Sequence, residues 1–139
     1  YGRLVPALCV SNGKAQVVEH PVDANRRYRQ ADLWVAAGPV LVRAGRACSR
    51  EEIQSEYRHL NTDGATSRVV LLLWRDGSVG FLFHPDTSLW RMQSAAVNLK
   101  ADYAINLDGG SCTVWQPTPC RRWIGREVVA GGTWCIGLR

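Results

Sequence analysis

The chain has 139 residues, enough for one domain that buries roughly two thirds of its unfolded surface. With 46% hydrophobic and 21% charged residues it is not a disordered chain, and no run approaches the ~20 apolar residues of a membrane-spanning helix. The net charge of +5 favours anionic partners, but the basic residues are scattered, and solubility is sufficient reason for them. The short clusters Arg26-Arg27-Tyr28-Arg29 and Arg121-Arg122-Trp123 accompany no nucleic-acid motif, so no nucleic-acid partner is expected.

In chain order, Leu8 to Val18 predicts a β-hairpin, with Asn12-Gly13 as the type I′ pair between two β-prone runs. Residues Pro21 to Asp32 are polar and irregular. Leu33 to Val42 reads as two strand halves broken at Gly38-Pro39, because Pro39 cannot donate to a central ladder. Ala44-Gly45-Arg46 turns the chain. Ser49 and Glu52 form a capping box, and Ile53, Tyr57 and Leu60 continue it at helical spacing, which predicts about three turns ending at Leu60.

The continuous apolar run Ser67 to Trp74 predicts a strand buried on both faces, and Asp76-Gly77 turns it back into Val79 to Phe83. His84-Pro85-Asp86-Thr87-Ser88 reads as a loop ending in an N-cap. His84 and Asp86 either shape that loop or act at a site; shaping the loop is the preferred reading. Leu89, Met92, Ala95, Ala96 and Leu99 predict a second helix with Lys100 in its last turn. This helix delivers the chain into a strand at Ala104 to Leu107. Beyond Pro117-Thr118-Pro119, two closing strands are expected at Trp123 to Val129 and Thr133 to Ile136. The pattern predicts a single α+β domain, with a mostly antiparallel twisted sheet and two helices packed on it.

Five cysteines stand at positions 9, 48, 112, 120 and 135, with no metal-finger spacing, so no metal site is expected. Their number suits an extracytoplasmic protein with one or two bridges, among which Cys112–Cys135 and Cys120–Cys135 are candidates. The odd count leaves at least one thiol. The chain opens at Tyr1 without a signal peptide, which predicts a processed form. Most of the six tryptophans are expected in the core, with one or two lining a sugar site.

The chemistry concentrates in Asn106-Leu107-Asp108-Gly109-Gly110-Ser111-Cys112-Thr113. Asn106 and Asp108 are two apart, so both leave one face of a strand, and two glycines follow. A Gly-Gly turn with Asp108 in a local hydrogen bond explains this composition without any site. The stretch nevertheless resembles the signature of the phosphodiester glycosidase family, Asn-Leu-Asp-Gly-Gly-Gly-Ser. It matches from Asn106 to Gly110, with Ser111 in place of the third glycine. Gly38, Pro39, Leu41, Val42, Gly45 and Arg46 match a second family segment, and Arg68 enters the family's central hairpin. Related bacterial secreted domains carry a similar motif. The resemblance spans Leu4 to Trp115. It also implies that the family's N-terminal segment is missing, to be supplied by upstream sequence or a partner chain.

The resemblance implies hydrolysis between a sugar's anomeric carbon and a phosphodiester, outside the cytoplasm, with no cofactor. It implies Asp108, Asn106 and Arg68 as catalytic residues, and Gly109, Gly110, Ser111, Thr113 and Gly38 as substrate-binding positions. A phosphate leaves as a stable anion and needs a cation or directed N–H groups more than a proton. Arg68 would supply the first, and the amides of Gly109, Gly110 and Ser111 the second. Asp108 would orient a water, stabilise the oxocarbenium ion or attack directly; the sequence does not choose. Asn106 would bind a sugar or phosphate oxygen, and Ser111 and Thr113 would position substrate through their hydroxyls. Cys112 has no partnered His and reads as a bridge or buried thiol. The alternative function is non-catalytic binding of a phosphorylated glycan or cell-envelope polymer.

Overall fold

Asn12 and Gly13 both take positive φ (51° and 70°), as a type I′ hairpin requires, and they join strand β1 (Ala7–Ser11) to β2 (Lys14–Val18). A computed structural model describes residues 6–19, 31–57, 60–107 and 134–138. Strand β3 (Leu33–Ala36) pairs with the other edge of β1, giving a three-stranded antiparallel sheet in the order β2-β1-β3. Gly38-Pro39 ends that sheet's share of the chain. Past it, β4 (Val40–Arg43) enters a second sheet, and Ala44-Gly45 turns it into the two-residue β5 (Arg46–Ala47).

Helix α1 (Arg50–Glu56) begins on the expected capping box: the Glu52 N–H donates to Ser49 Oγ at 3.2 Å, and the Ser49 N–H donates to Glu52 Oε2 at 2.5 Å. It has two turns, not three. Tyr57 leaves the helix (φ −138°, ψ 71°) while its N–H still reaches the Ile53 carbonyl, and its ring turns onto Gly38. No basic side chain lies in the last turn to favour extension against the helix dipole.

Strands β6 (Thr66–Leu73) and β7 (Val79–Thr87) form the longest pairing. From Val70 to Leu73 β6 is buried on both faces, as its apolar run predicts. The expected loop at His84 to Thr87 is instead the end of β7. Pro85 is tolerated there because the β6–β7 register shifts between Thr66 and Arg68. Ser88 caps α2 (Leu89–Asn98), whose buried residues are Leu89, Met92 and Ala96. Lys100 lies beyond that helix rather than in its last turn. It takes φ 58° and donates to the Val97 carbonyl, while Ala101 donates to that of Ala96, which makes a Schellman ending with lysine where glycine is usual.

Strand β8 (Tyr103–Asn106) lies between β4 and β6, and β9 (Trp134–Leu138) adds to β7. The second sheet is thus six-stranded, ordered β5-β4-β8-β6-β7-β9, and every pairing is antiparallel. The expected strand at Trp123 to Val129 and the two arginine clusters lie outside the described residues. One face of this sheet (Val70, Leu72, Leu82, Ala104) packs with Ile53, Leu89, Met92 and Ala96 of the helices. The other (Leu71, Leu73, Ile105) packs with Leu8, Ala15 and Val17 of the smaller sheet. The protein is therefore an α+β domain of two antiparallel sheets with two helices on the outer face of the larger one. A half-buried Arg43–Glu19 ion pair at 2.6 Å also ties the sheets together.

Candidate functional site

Period-two alternation places the candidate site at one end of the six-stranded sheet. There β8 ends at Asn106, β6 begins, β7 ends and Pro39 precedes β4. Asn106 lies opposite Val70 in the β6–β8 ladder, and Arg68 is two residues from Val70 on the same face. Asn106 and Arg68 are therefore diagonal neighbours, about 7–8 Å apart by sheet geometry. Both are buried, at 4% exposure each, in a place where a polar side chain needs a partner.

Asn106 is anchored on one side only. Its N–H donates to the Pro39 carbonyl at 2.9 Å, and its Nδ2 donates to the Leu107 carbonyl at 2.9 Å. Its Oδ1 is buried and has no hydrogen-bond partner among the described residues. Leaving an acceptor so costs about 1–3 kcal/mol.

Arg68 is held by backbone carbonyls. Its Nη2 donates to Asn61 and, at 3.2 Å, to Gly64; its Nε donates to Thr87 at 3.5 Å. No carboxylate pairs with it among the described residues, and burial pushes its pKa down. Arginine stays charged regardless, so this end of the sheet carries a positive charge that no carboxylate among the described residues neutralises.

The loop that Arg68 braces is fixed from several sides. Asn61 Oδ1 accepts the Gly64 N–H at 2.8 Å, and the Thr62 carbonyl accepts the Leu89 N–H at 3.0 Å. Asp63 accepts from Trp90 Nε1 at 2.6 Å and pairs with Arg50 at 2.8 Å, and the Arg50 guanidinium stacks 4.8 Å from the Trp90 ring centre. The Trp90 indole, followed by Arg50, holds the Asp63 carboxyl below its usual range. Arg50 thus covers a face of Trp90 that a sugar would otherwise use. Trp74 is also partly buried against the core and donates to the Leu99 carbonyl.

Gly38 has a structural reason at this end: a methyl group there would lie 2.7 Å from Tyr57 Cζ and closer still to the phenol oxygen. Tyr57 therefore lines this end of the sheet. The sequence marks it only as an apolar helical position, and no local pattern distinguishes it. His84 lies opposite Arg68, and its Nδ1 accepts the Asp86 N–H at 3.1 Å, so the two residues shape the end of β7 rather than the expected loop. Of the predicted site residues, Asn106, Arg68 and Gly38 converge here. Asp108, Gly109, Gly110, Ser111 and Thr113 lie outside the described residues, as do Cys112 and Cys120. The expected bridges gain no support: the described thiols of Cys9 and Cys48 are buried and in no disulfide. No group of three or more metal-ligating side chains occurs among the described residues.

A family model for phosphodiester glycosidases matches residues 2–124. The chain belongs to that family. Among solved structures, this chain is similar to one described as the zebrafish N-acetylglucosamine-1-phosphodiester alpha-N-acetylglucosaminidase catalytic domain auto-inhibited by pro-peptide. The TM-score is 0.62 at 20% identity, over 78% of this chain and 41% of that one. At that identity the likeness bears on the fold, and the chain spans about two fifths of the zebrafish chain. No curated protein matches it.

Proposed function

We propose that the chain is the core of a hydrolase that cleaves a sugar-1-phosphodiester at the bond between the anomeric carbon and the phosphate oxygen. The observation that carries this reading is the pairing, on one face of the sheet end, of a buried cation and a buried amide oxygen that have no carboxylate and no hydrogen-bond donor, respectively, among the described residues. As the bond breaks, positive charge develops on the sugar and negative charge on the departing phosphate. The Arg68 charge favours the departing anion at short range in a poorly solvated place. The amides of Gly109, Gly110 and Ser111 serve the same anion. Asp108 acts on the sugar side, and Ser111 and Thr113 position the substrate. Gly38 acts by admitting Tyr57 to the site wall.

Family membership supports a phosphorylated sugar as substrate, and the likeness to the zebrafish enzyme makes an N-acetylglucosamine-1-phosphodiester the first to try. It also supports an extracytoplasmic location. No described helix is long and apolar enough to cross a membrane. An upstream segment or a partner chain completes the domain on this reading. One observation favours a second function. The Nε and Nη2 donors of Arg68 are committed to carbonyls, which suits a brace in a non-catalytic binder of phosphorylated glycan or envelope polymer. The test is release of free sugar from a panel of sugar-1-phosphodiesters by the native protein and Asp108→Asn. Release by the native protein alone supports the hydrolase. Binding without release by either supports the second function.

A further inference from the structure

Asn106 presents a one-sided chemistry. One Nδ2 hydrogen goes to the Leu107 carbonyl, and the buried atom with no partner among the described residues is Oδ1, which only accepts. Turning the amide over would set Oδ1 against the Leu107 carbonyl, acceptor against acceptor, so the orientation is fixed by its own neighbour. A phosphodiester at neutral pH carries no O–H and offers only acceptors. Oδ1 therefore has nothing to exchange with the phosphate. A sugar ring, by contrast, carries hydroxyl or acetamido donors.

We propose that Asn106 is a specificity-determining residue that holds the sugar and not the phosphate, by accepting a hydrogen bond at Oδ1 from one hydroxyl or acetamido N–H of the glycosyl ring. This rests on the reading of the site as one for a glycosyl phosphate. The diagonal between Asn106 and Arg68 then assigns the two halves of the substrate: sugar at the end of β8, phosphate toward the start of β6. A buried acceptor made for a donor rejects ligands that lack it, because binding them leaves the acceptor unpaired.

The test is equilibrium binding of N-acetylglucosamine 1-phosphate, its analogues with single hydroxyls replaced by fluorine, and methyl phosphate, all above pH 8, where the phosphate monoesters carry no O–H. Fluorine keeps the size but cannot donate. It also slows glycosyl transfer inductively, so binding and not rate is read. The native protein should lose about tenfold in affinity for the analogue lacking the donor, or show the same loss with glucose 1-phosphate if the donor is the acetamido N–H. Asn106→Leu should bind the parent about tenfold more weakly and be insensitive to that change, with methyl phosphate binding altered less than twofold. Equal binding of every analogue by the native protein overturns the proposal, as does failure to bind the parent or an equal loss of methyl phosphate binding in Asn106→Leu. If Asn106→Leu does not fold, the analogue series on the native protein decides alone. Donor-dependent binding without sugar release would remove the hydrolase reading and keep this one. Sugar release with no donor dependence would do the reverse.

Discussion

The two ends of the six-stranded sheet are built on opposite principles. At the turn end, polar groups are met locally: Ser78 donates twice to Asp76, Gly77 donates to the Trp74 carbonyl, Asp102 donates to that of Leu73, and Gly45 donates to that of Asp102. At the other end, a buried guanidinium has carbonyls but no described carboxylate, and a buried amide oxygen has no described partner at all. One sheet, with one core, supports both. The turn end is where this chain gains stability, and the Arg68 end is where it forgoes some, as expected of a surface kept for a ligand.

The largest effect should come from Arg68→Leu, which strips three carbonyls of their donor and releases the loop from Asn61 to Gly64. Denaturant unfolding should show a loss of about 2–4 kcal/mol, with Arg68→Lys recovering only part because an ammonium lacks the planar fork. A loss below about 0.5 kcal/mol would remove Arg68 as the brace of that end. Gly38→Ala should follow, at about 1–3 kcal/mol, since the added methyl overlaps the Tyr57 ring. Adding Tyr57→Ala should give a double-mutant coupling of about 1 kcal/mol or more, whereas additive losses would mean the two residues do not meet.

At the turn end the sign reverses. Lys100→Gly relieves a left-handed lysine in the Schellman ending and should stabilise by about 0.5–1 kcal/mol, read as a raised thermal midpoint. A lowered midpoint would place the worth of Lys100 in its side chain.

The smallest effect is acidic. Arg46 and the Ser49 N–H hold the Glu52 carboxyl at about 2, and Asp63 is also lowered, through Trp90 and Arg50. Both folded values lie below the unfolded ones. Their stabilisation is therefore present above the ordinary carboxylate range near pH 4 and is lost as pH falls toward 2. Both side chains are exposed, so the loss is small and screened by salt. Glu52→Gln should flatten the acid limb of the stability curve, and an unchanged limb would rule out the Arg46–Glu52 contribution.

The same contrast explains what the sequence could say. Asn12-Gly13, the Ser49–Glu52 box, Asp76-Gly77 and the Ser88 cap are local signals, each met by residues within four positions, and the structure has them all. The early end of α1 and the run of β7 through Pro85 follow no local signal: Tyr57 leaves the helix with its ring against Gly38, and the β6–β7 register shifts beside Pro85. Arg68 was visible only through a family resemblance, because no pattern of composition or periodicity singles it out, whereas Asn106 also stood out as a polar side chain sharing a strand face with Asp108 before two glycines. The loop carbonyls around Arg68, the Tyr57 approach and the unpartnered Oδ1 arise from contacts between distant segments, which a one-dimensional reading cannot place. The third strand pair is divided between two sheets for a reason that was legible, since Pro39 interrupts the ladder where the sheets part.

The most direct test of the proposed chemistry is hydrolysis of an N-acetylglucosamine-1-phosphodiester in water labelled with heavy oxygen, followed by mass analysis of both products. The account predicts label in the released sugar, none in the phosphate monoester, and no release by Asp108→Asn. Label in the phosphate would mean attack at phosphorus, and equal release by the variant would remove Asp108 from the reaction; either result contradicts a glycosidase working at this end of the sheet.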